Sequence, residues 1–237
     1  VVSNAVGSIS NSTIVDGITI GPITHTAVAG VIDATKTSGT TTYAPNGTII
    51  YTLVISNEGD GFAESIPVVD NIDAIQTTLV GGGTGNAFQS GWTITADTVG
   101  TGTTSGSFAT GANLNTTITV APGGSVTYTI TGTVVSNAVG SISNSTIVDG
   151  VTIGPITHTA VAGVIDATKT SGTTTYAPNG TIIYTLTITN EGDGFAESVS
   201  VVDNIGAIQT TLVGGGTGNA FLPNWTITAD TVGTGTT

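Results

Sequence analysis

The chain reads as all-β, a tandem series of antiparallel β-sandwich domains. Three observations predict this. The apolar residues are Val, Ile and Ala accompanied by abundant Thr, the runs they form are short and broken by glycine, and the first 104 residues recur 133 positions later. β-Branched side chains favour the pleated, half-buried surface of a sheet. The 35 glycines supply turns and bulges. No long stretch carries apolar residues at i, i+3 and i+4, so helices are expected to be few.

Taken in order, strands are predicted at residues 31–37, 48–56, 63–71, 76–80, 92–96, 117–120, 125–134, 140–148 and 156–162. Turn residues separate them: Ala44-Pro45-Asn46-Gly47, Asn57-Glu58-Gly59-Asp60-Gly61, Gly81-Gly82-Gly83 and Pro122-Gly123-Gly124. Short strands at this spacing suggest a sandwich or barrel. The Gly/Thr-rich residues 98–116 read as loop.

The repeat sets the domain plan. Residues 1–104 and 134–237 differ at only nine positions, and a period of 133 residues suits a whole domain rather than a solenoid unit. In the strand 48–56, Ile49, Tyr51, Leu53 and Ile55 share one face by parity and are unchanged in the second copy. Val54 and Ser56 face the other way and become Thr187 and Thr189, so that face is expected to be solvated. The tetrapeptide Ala27-Val28-Ala29-Gly30 resembles a linker. Residues 1–30 are therefore expected to be the closing strands of a preceding repeat, 31–163 a complete domain, and 164–237 an incomplete following one. The second copy lacks counterparts of residues 105–163, which would leave sheet edges open unless neighbouring copies complete one another. The short joint, with no Pro-rich or long Ser/Gly spacer, is expected to stack successive domains stiffly.

Fifteen acidic residues face two basic ones, Lys36 and Lys169, giving a net charge of −13, and only 7% of residues are charged. Such a chain repels phosphate backbones and anionic lipid, so neither nucleic acid nor a membrane surface is an expected partner. A surface of Thr, Ser, Asn and Gly suits an exposed fibre or cell-surface protein. With no Cys, disulfides and thiol chemistry are excluded. No signal peptide or transmembrane run is evident.

Four segments resemble, in order, the DUF11 repeat domain of bacterial and archaeal surface proteins. They are Lys36-Thr37 with residues 44–60, the strand Val68-Val69-Asp70-Asn71, the segment Ala121-Pro122-Gly123-Gly124-Ser125-Val126-Thr127-Tyr128, and Ser143-Asn144-Ser145-Thr146-Ile147-Val148. Asn71-Ile72-Asp73 departs from the family's pattern. The resemblance implies an immunoglobulin-like sandwich in cell-surface and extracellular arrays.

Strand parity places Lys36 on a face with Ile32 and Ala34, Asp70 with Ile66, Val68 and Ile72, and Asn144 with Ile142 and Val148, so all three polar residues point inward. Buried groups of this kind are costly unless they satisfy one another. Three readings follow: an intramolecular isopeptide bond, as in related surface-adhesin sandwiches; a Lys–Asp ion pair hydrogen-bonded to Asn; or a lysine that snorkels to solvent. In the covalent reading, burial favours neutral partners, leaving the amine nucleophilic and Asp70 able to protonate the Asn144 carboxamide. Lys169 and Asp203 are the equivalents in the next repeat, and Asn11 is the equivalent asparagine of residues 1–30, a partner available to Lys169 from a neighbouring copy.

Glycosylation candidates are Asn46, Asn115 and Asn179; sequons also occur at Asn11, Asn144 and Asn224, although an inward Asn144 excludes a glycan. Asp60 with Glu58 and Glu64, or Asp70 with Asp73, form acidic groups, but solvated turn carboxylates are the expectation and no metal site is assigned. His25 and His158 recur in Ile-Thr-His-Thr and read as structural or exposed. Gly81–Gly85 has no following Lys or helix to make a phosphate loop. Trp92 and Trp225 read as core anchors. No nucleophile motif frames Ser, His and Asp, so neither an enzyme nor a cofactor is expected. The expected role is the shaft of an extracellular filament or the stalk of a large adhesin, with itself as partner. The alternative is an adhesive module recognising glycan or a neighbouring cell surface.

Overall fold

Thirteen strands precede residue 161 in the computed structural model, which describes residues 1–2 and 4–233; the last four residues of the 164–237 span lie outside the described residues. They are β1 (Ile9–Val15), β2 (Ile18–His25), β3 (Ile32–Ser38), β4 (Thr42–Tyr43), β5 (Thr48–Asn57), β6 (Ala63–Asp70), β7 (Gln76–Thr78), β8 (Thr84–Asn86), β9 (Thr93–Val99), β10 (Leu114–Val120), β11 (Ser125–Thr133), β12 (Ile142–Val148) and β13 (Val151–Ala160). A single 3₁₀ turn at Ile72–Ala74 interrupts them. Packing divides the chain into two units: Val1–Val164 with Glu191–Phe195, and Ile165–Asn190 with Ala196–Thr237.

In the first unit, two sheets are stacked around one core. One has the order β3-β5-β11-β9 and the other β10-β6-β12-β13-β4, with β7–β8 a separate small hairpin. Pairing is antiparallel except for two residues of β13 beside β4. The fold is all-β and sandwich-like. Ile49, Tyr51, Leu53 and Ile55 on β5 are at most 1% exposed. They meet Val126, Tyr128 and Ile130 of β11, Val68 of β6, Ile118 of β10 and Ile142 of β12 in the same cluster. Each such aliphatic side chain, fully buried, contributes roughly 1.5–3 kcal/mol.

Several boundaries differ from the sequence reading for identifiable reasons. β13 begins at Val151 rather than 156 because Asp149 (φ 49°) and Gly150 (φ 77°) make a two-residue hairpin turn, the Asp-Gly signature of a turn whose twist matches its strands. The same dipeptide, Asp16-Gly17, closes β1–β2. Residues 98–116 are loop only in part: β10 starts at Leu114, Thr104 bridges Thr119, and the Tyr128 hydroxyl donates to the Ser105 carbonyl. Val54 and Ser56 are half-buried rather than solvated, since β5 is interior to its sheet.

Residues 1–30 fall in one packing unit with 31–163, although β1 and β2 form a two-stranded sheet of their own with every residue exposed; the contacts lie at the linker. Asn57, 1% exposed, accepts at Oδ1 from the backbone N–H groups of Val31 (2.9 Å) and Gly59 (3.0 Å). Its Nδ2 donates to the carbonyls of Gly61 (2.7 Å) and Val120 (2.9 Å). Gly30 N–H donates to Phe62 O and Glu58 N–H to Val31 O. The backbones approach so closely that a Cβ on Gly61 would lie 1.8 Å from the Val28 carbonyl oxygen. The next boundary repeats this arrangement: Gly163 N–H donates to Phe195 O, Glu191 N–H to Val164 O, and a Cβ on Gly194 would lie 1.8 Å from Val161 O.

The second unit contains β14 (Ile165–Ser171) paired with β15 (Tyr184–Asn190), a 3₁₀ turn at Ile205–Ala207, and the small hairpin β16 (Gln209–Thr211) with β17 (Thr217–Asn219). This sequence carries counterparts of residues 31–104 for that unit but none of β10 to β13. Leu186 and Ile188, the counterparts of buried Leu53 and Ile55, are 42% and 39% exposed.

Candidate functional site

Three strands converge on one buried carboxylate in the first unit. Lys36 is on β3, the opening strand of one sheet; Asp70 ends β6, and Asn144 and Thr146 lie on β12, both in the opposing sheet. All are buried, as their parity requires: Asp70 and Thr146 at 0%, Asn144 at 3%, Lys36 at 6%. The cluster therefore spans the core from sheet to sheet.

Its geometry centres on Asp70 Oδ2. Lys36 Nζ donates to it at 2.6 Å, Thr146 Oγ1 donates at 2.6 Å, and Asn144 Nδ2 donates at 3.3 Å. Lys36 also donates to Thr146 Oγ1 at 2.8 Å and lies 5.0 Å from the centre of the Tyr51 ring. The snorkelling reading is thus overturned: the Lys36 side chain is 0% exposed and held at both sheets. Burial pulls the Lys36 amine below its ordinary value, while the charge of Asp70 and its hydrogen bond pull the other way. Asp70 Oδ1 is buried and has no hydrogen-bond partner among the described residues. One oxygen is triply engaged and its twin is idle.

Thr146 was not singled out in the sequence, yet the signal was present. It lies two residues from Asn144 on the same strand face, and a threonine facing a buried Lys–Asp pair has both a proton to give and a lone pair to offer. Next to the cluster, His158 is 0% exposed, stacked edge-on against Tyr51 at 5.3 Å, with Nε2 2.9 Å from Ser38 Oγ. His25, its counterpart, is exposed. Burial raises the Tyr51 hydroxyl above its ordinary value and lowers His158 below its own.

Other candidates are placed as follows. Asn46, Asn115 and Asn179 are exposed, and Asn46 and Asn179 sit at positive φ in their Pro-Asn-Gly turns. Asp73 pairs with Asn113 rather than with Asp70. Among the described residues no group of three or more His, Asp or Glu gathers as a metal site, and no helix is long and apolar enough to cross a membrane. The core-anchor reading holds in part for Trp92, which is half-buried and packed against the core with its Nε1 donating to Ala112 O. It is corrected for Trp225, which is 46% exposed because the chain that flanks Trp92 has no counterpart beside it.

In the second unit the equivalents Lys169 and Asp203 also pair at 2.6 Å, with side chains 41% and 32% exposed. Asn11 is exposed on β1 of the first unit. No family model matches this chain, and no curated protein matches it.

Proposed function

We propose that this chain is a segment of a structural repeat array, forming the shaft of an extracellular filament or the stalk of a large surface adhesin, built of immunoglobulin-like domains of the DUF11 type. The carrying observation is the clamp at each repeat boundary. Asn57 and the glycines around it hold the incoming linker by backbone hydrogen bonds, and the contact recurs at residues 161–164 with 191–195. A module whose joint is specified so closely, and copied with so little drift, suits a load-bearing series. Within the domain, the Lys36 cluster ties the opening strand to a closing strand, the two places where tension along the chain enters and leaves.

The adhesive alternative calls for a cleft with clustered aromatics and carboxylates. The cleft formed by Val1, Ala5, His25, Asp60, Phe62 and their neighbours offers a single phenyl ring, which favours the shaft. The partner in this reading is a neighbouring repeat or subunit, and the location is outside the cell. An antibody raised against residues 31–163 is expected to decorate extended material on intact cells. Labelling that appears only after lysis overturns the proposal.

A further inference from the structure

We infer that Lys36 and Asn144 are joined by an amide cross-link formed within the folded domain, with Asp70 as the proton carrier. The inference stands on the geometry of the cluster and does not depend on the shaft reading. The amine nitrogen of Lys36 and the carboxamide nitrogen of Asn144 both bond to one oxygen of Asp70, inside a core that excludes water. Nucleophile, acyl group and acid–base group are thus held together before any reaction.

The step balances without any co-reactant. Lys36 passes a proton to Asp70 and becomes a neutral amine. Its Nζ adds to Cγ of Asn144 to give a tetrahedral adduct. Asp70 delivers its proton to Nδ2, the Cγ–Nδ2 bond breaks, ammonia departs, and Asp70 takes the second proton from Nζ. An amide replaces an amide, and Asp70 finishes as a neutral carboxylic acid.

The idle oxygen supports this sequence. A buried polar atom without a partner needs an explanation, and Asp70 Oδ1 has none in the ion-paired arrangement. Beside the product amide, the acid O–H donates to the new C=O while the other oxygen accepts from the new N–H, so both oxygens are used. Desolvation of Lys36 acts in the same direction, since it favours the neutral amine.

The test uses the full 237-residue chain. Its intact mass is expected to fall short of the sequence mass by one ammonia. The chain has only two Lys or Arg residues, so trypsin acting on denatured protein is expected to cut at Lys169 and not at Lys36. Asn144→Leu and Lys36→Met should each restore the full mass. Asp70→Asn, which keeps the shape of the side chain but cannot carry the proton, should do the same while retaining native near-ultraviolet dichroism. Full calculated mass in the unsubstituted protein, with cleavage after Lys36, overturns the inference. So does a mass deficit that persists in Lys36→Met.

Discussion

Lys36 and Lys169 occupy the same place in two copies of one module. Each holds its aspartate at 2.6 Å and each lies about as far from a tyrosine ring, 5.0 Å and 5.1 Å. The first pair is sealed from solvent and the second is open to it. Geometry at this site is therefore local, set by the pairing of β3 with β5, or β14 with β15, and by the chain that leads to the aspartate. Burial is not local: it comes from β12 and its neighbours, more than a hundred residues downstream of Lys36. The same difference separates Leu53 from Leu186. A contact distance alone says little about what a contact is worth.

The sharpest way to break the comparison is to remove the aspartates. Asp70→Ala leaves the Lys36 amine buried without its carboxylate and also prevents the inferred cross-link, so it is expected to cost at least about 3–5 kcal/mol. Asp203→Ala removes an exposed pair and is expected to cost about 0.2–1 kcal/mol. Urea unfolding followed through Trp92 in a Trp225→Phe background measures the first, and through Trp225 in a Trp92→Phe background the second, since each tryptophan lies in the unit of its aspartate. Equal effects would mean that the second unit is as well covered as the first.

Next in size is the hydrophobic counterpart. Leu53→Ala, in a closed core, is expected to lose about 2–5 kcal/mol, and Leu186→Ala less than about 1 kcal/mol. Hydrogen exchange of the β5 and β15 amides resolves the two units separately.

The smallest effect is on pH. His158 is packed against Tyr51 and Ser38, with the Thr40 backbone and the Lys36–Asp70 pair nearby, and burial lowers its pKa from the ordinary 6.5. The unfolded chain then binds a proton more readily than the folded one. Stability is complete above 6.5 and declines as the pH falls below it, until the lowered folded-state value is passed. His158→Gln is expected to flatten this part of the curve, as read from urea midpoints between about pH 7.5 and pH 5.

Much of this was legible beforehand. Alternation on β5, β6 and β12 announced which residues face inward, because a pleated strand allows only two choices and apolar neighbours mark one of them. That is why Lys36, Asp70 and Asn144 could be grouped from sequence alone. What escaped was of two kinds. Thr42–Tyr43 and Thr84–Asn86 are too short for any period to show. The burial of Trp92 and Trp225 depends on chain far from either residue. Asn57 escaped too: it read only as the first residue of a Gly-rich turn, whereas its amide is wholly spent on backbone partners.

The clamp around Asn57 also bears on how such a gene changes length. One half of each joint is the end of a repeat and the other half lies within the next 34 residues. Any stretch of 133 residues copied in register therefore brings a complete joint with it and leaves the flanking joints intact. On the proposed shaft reading, unequal recombination between copies adds or deletes whole modules while each joint stays intact, so length changes separately from stability. Each new copy must keep Asn57 and the closely packed glycines at 30, 59 and 61.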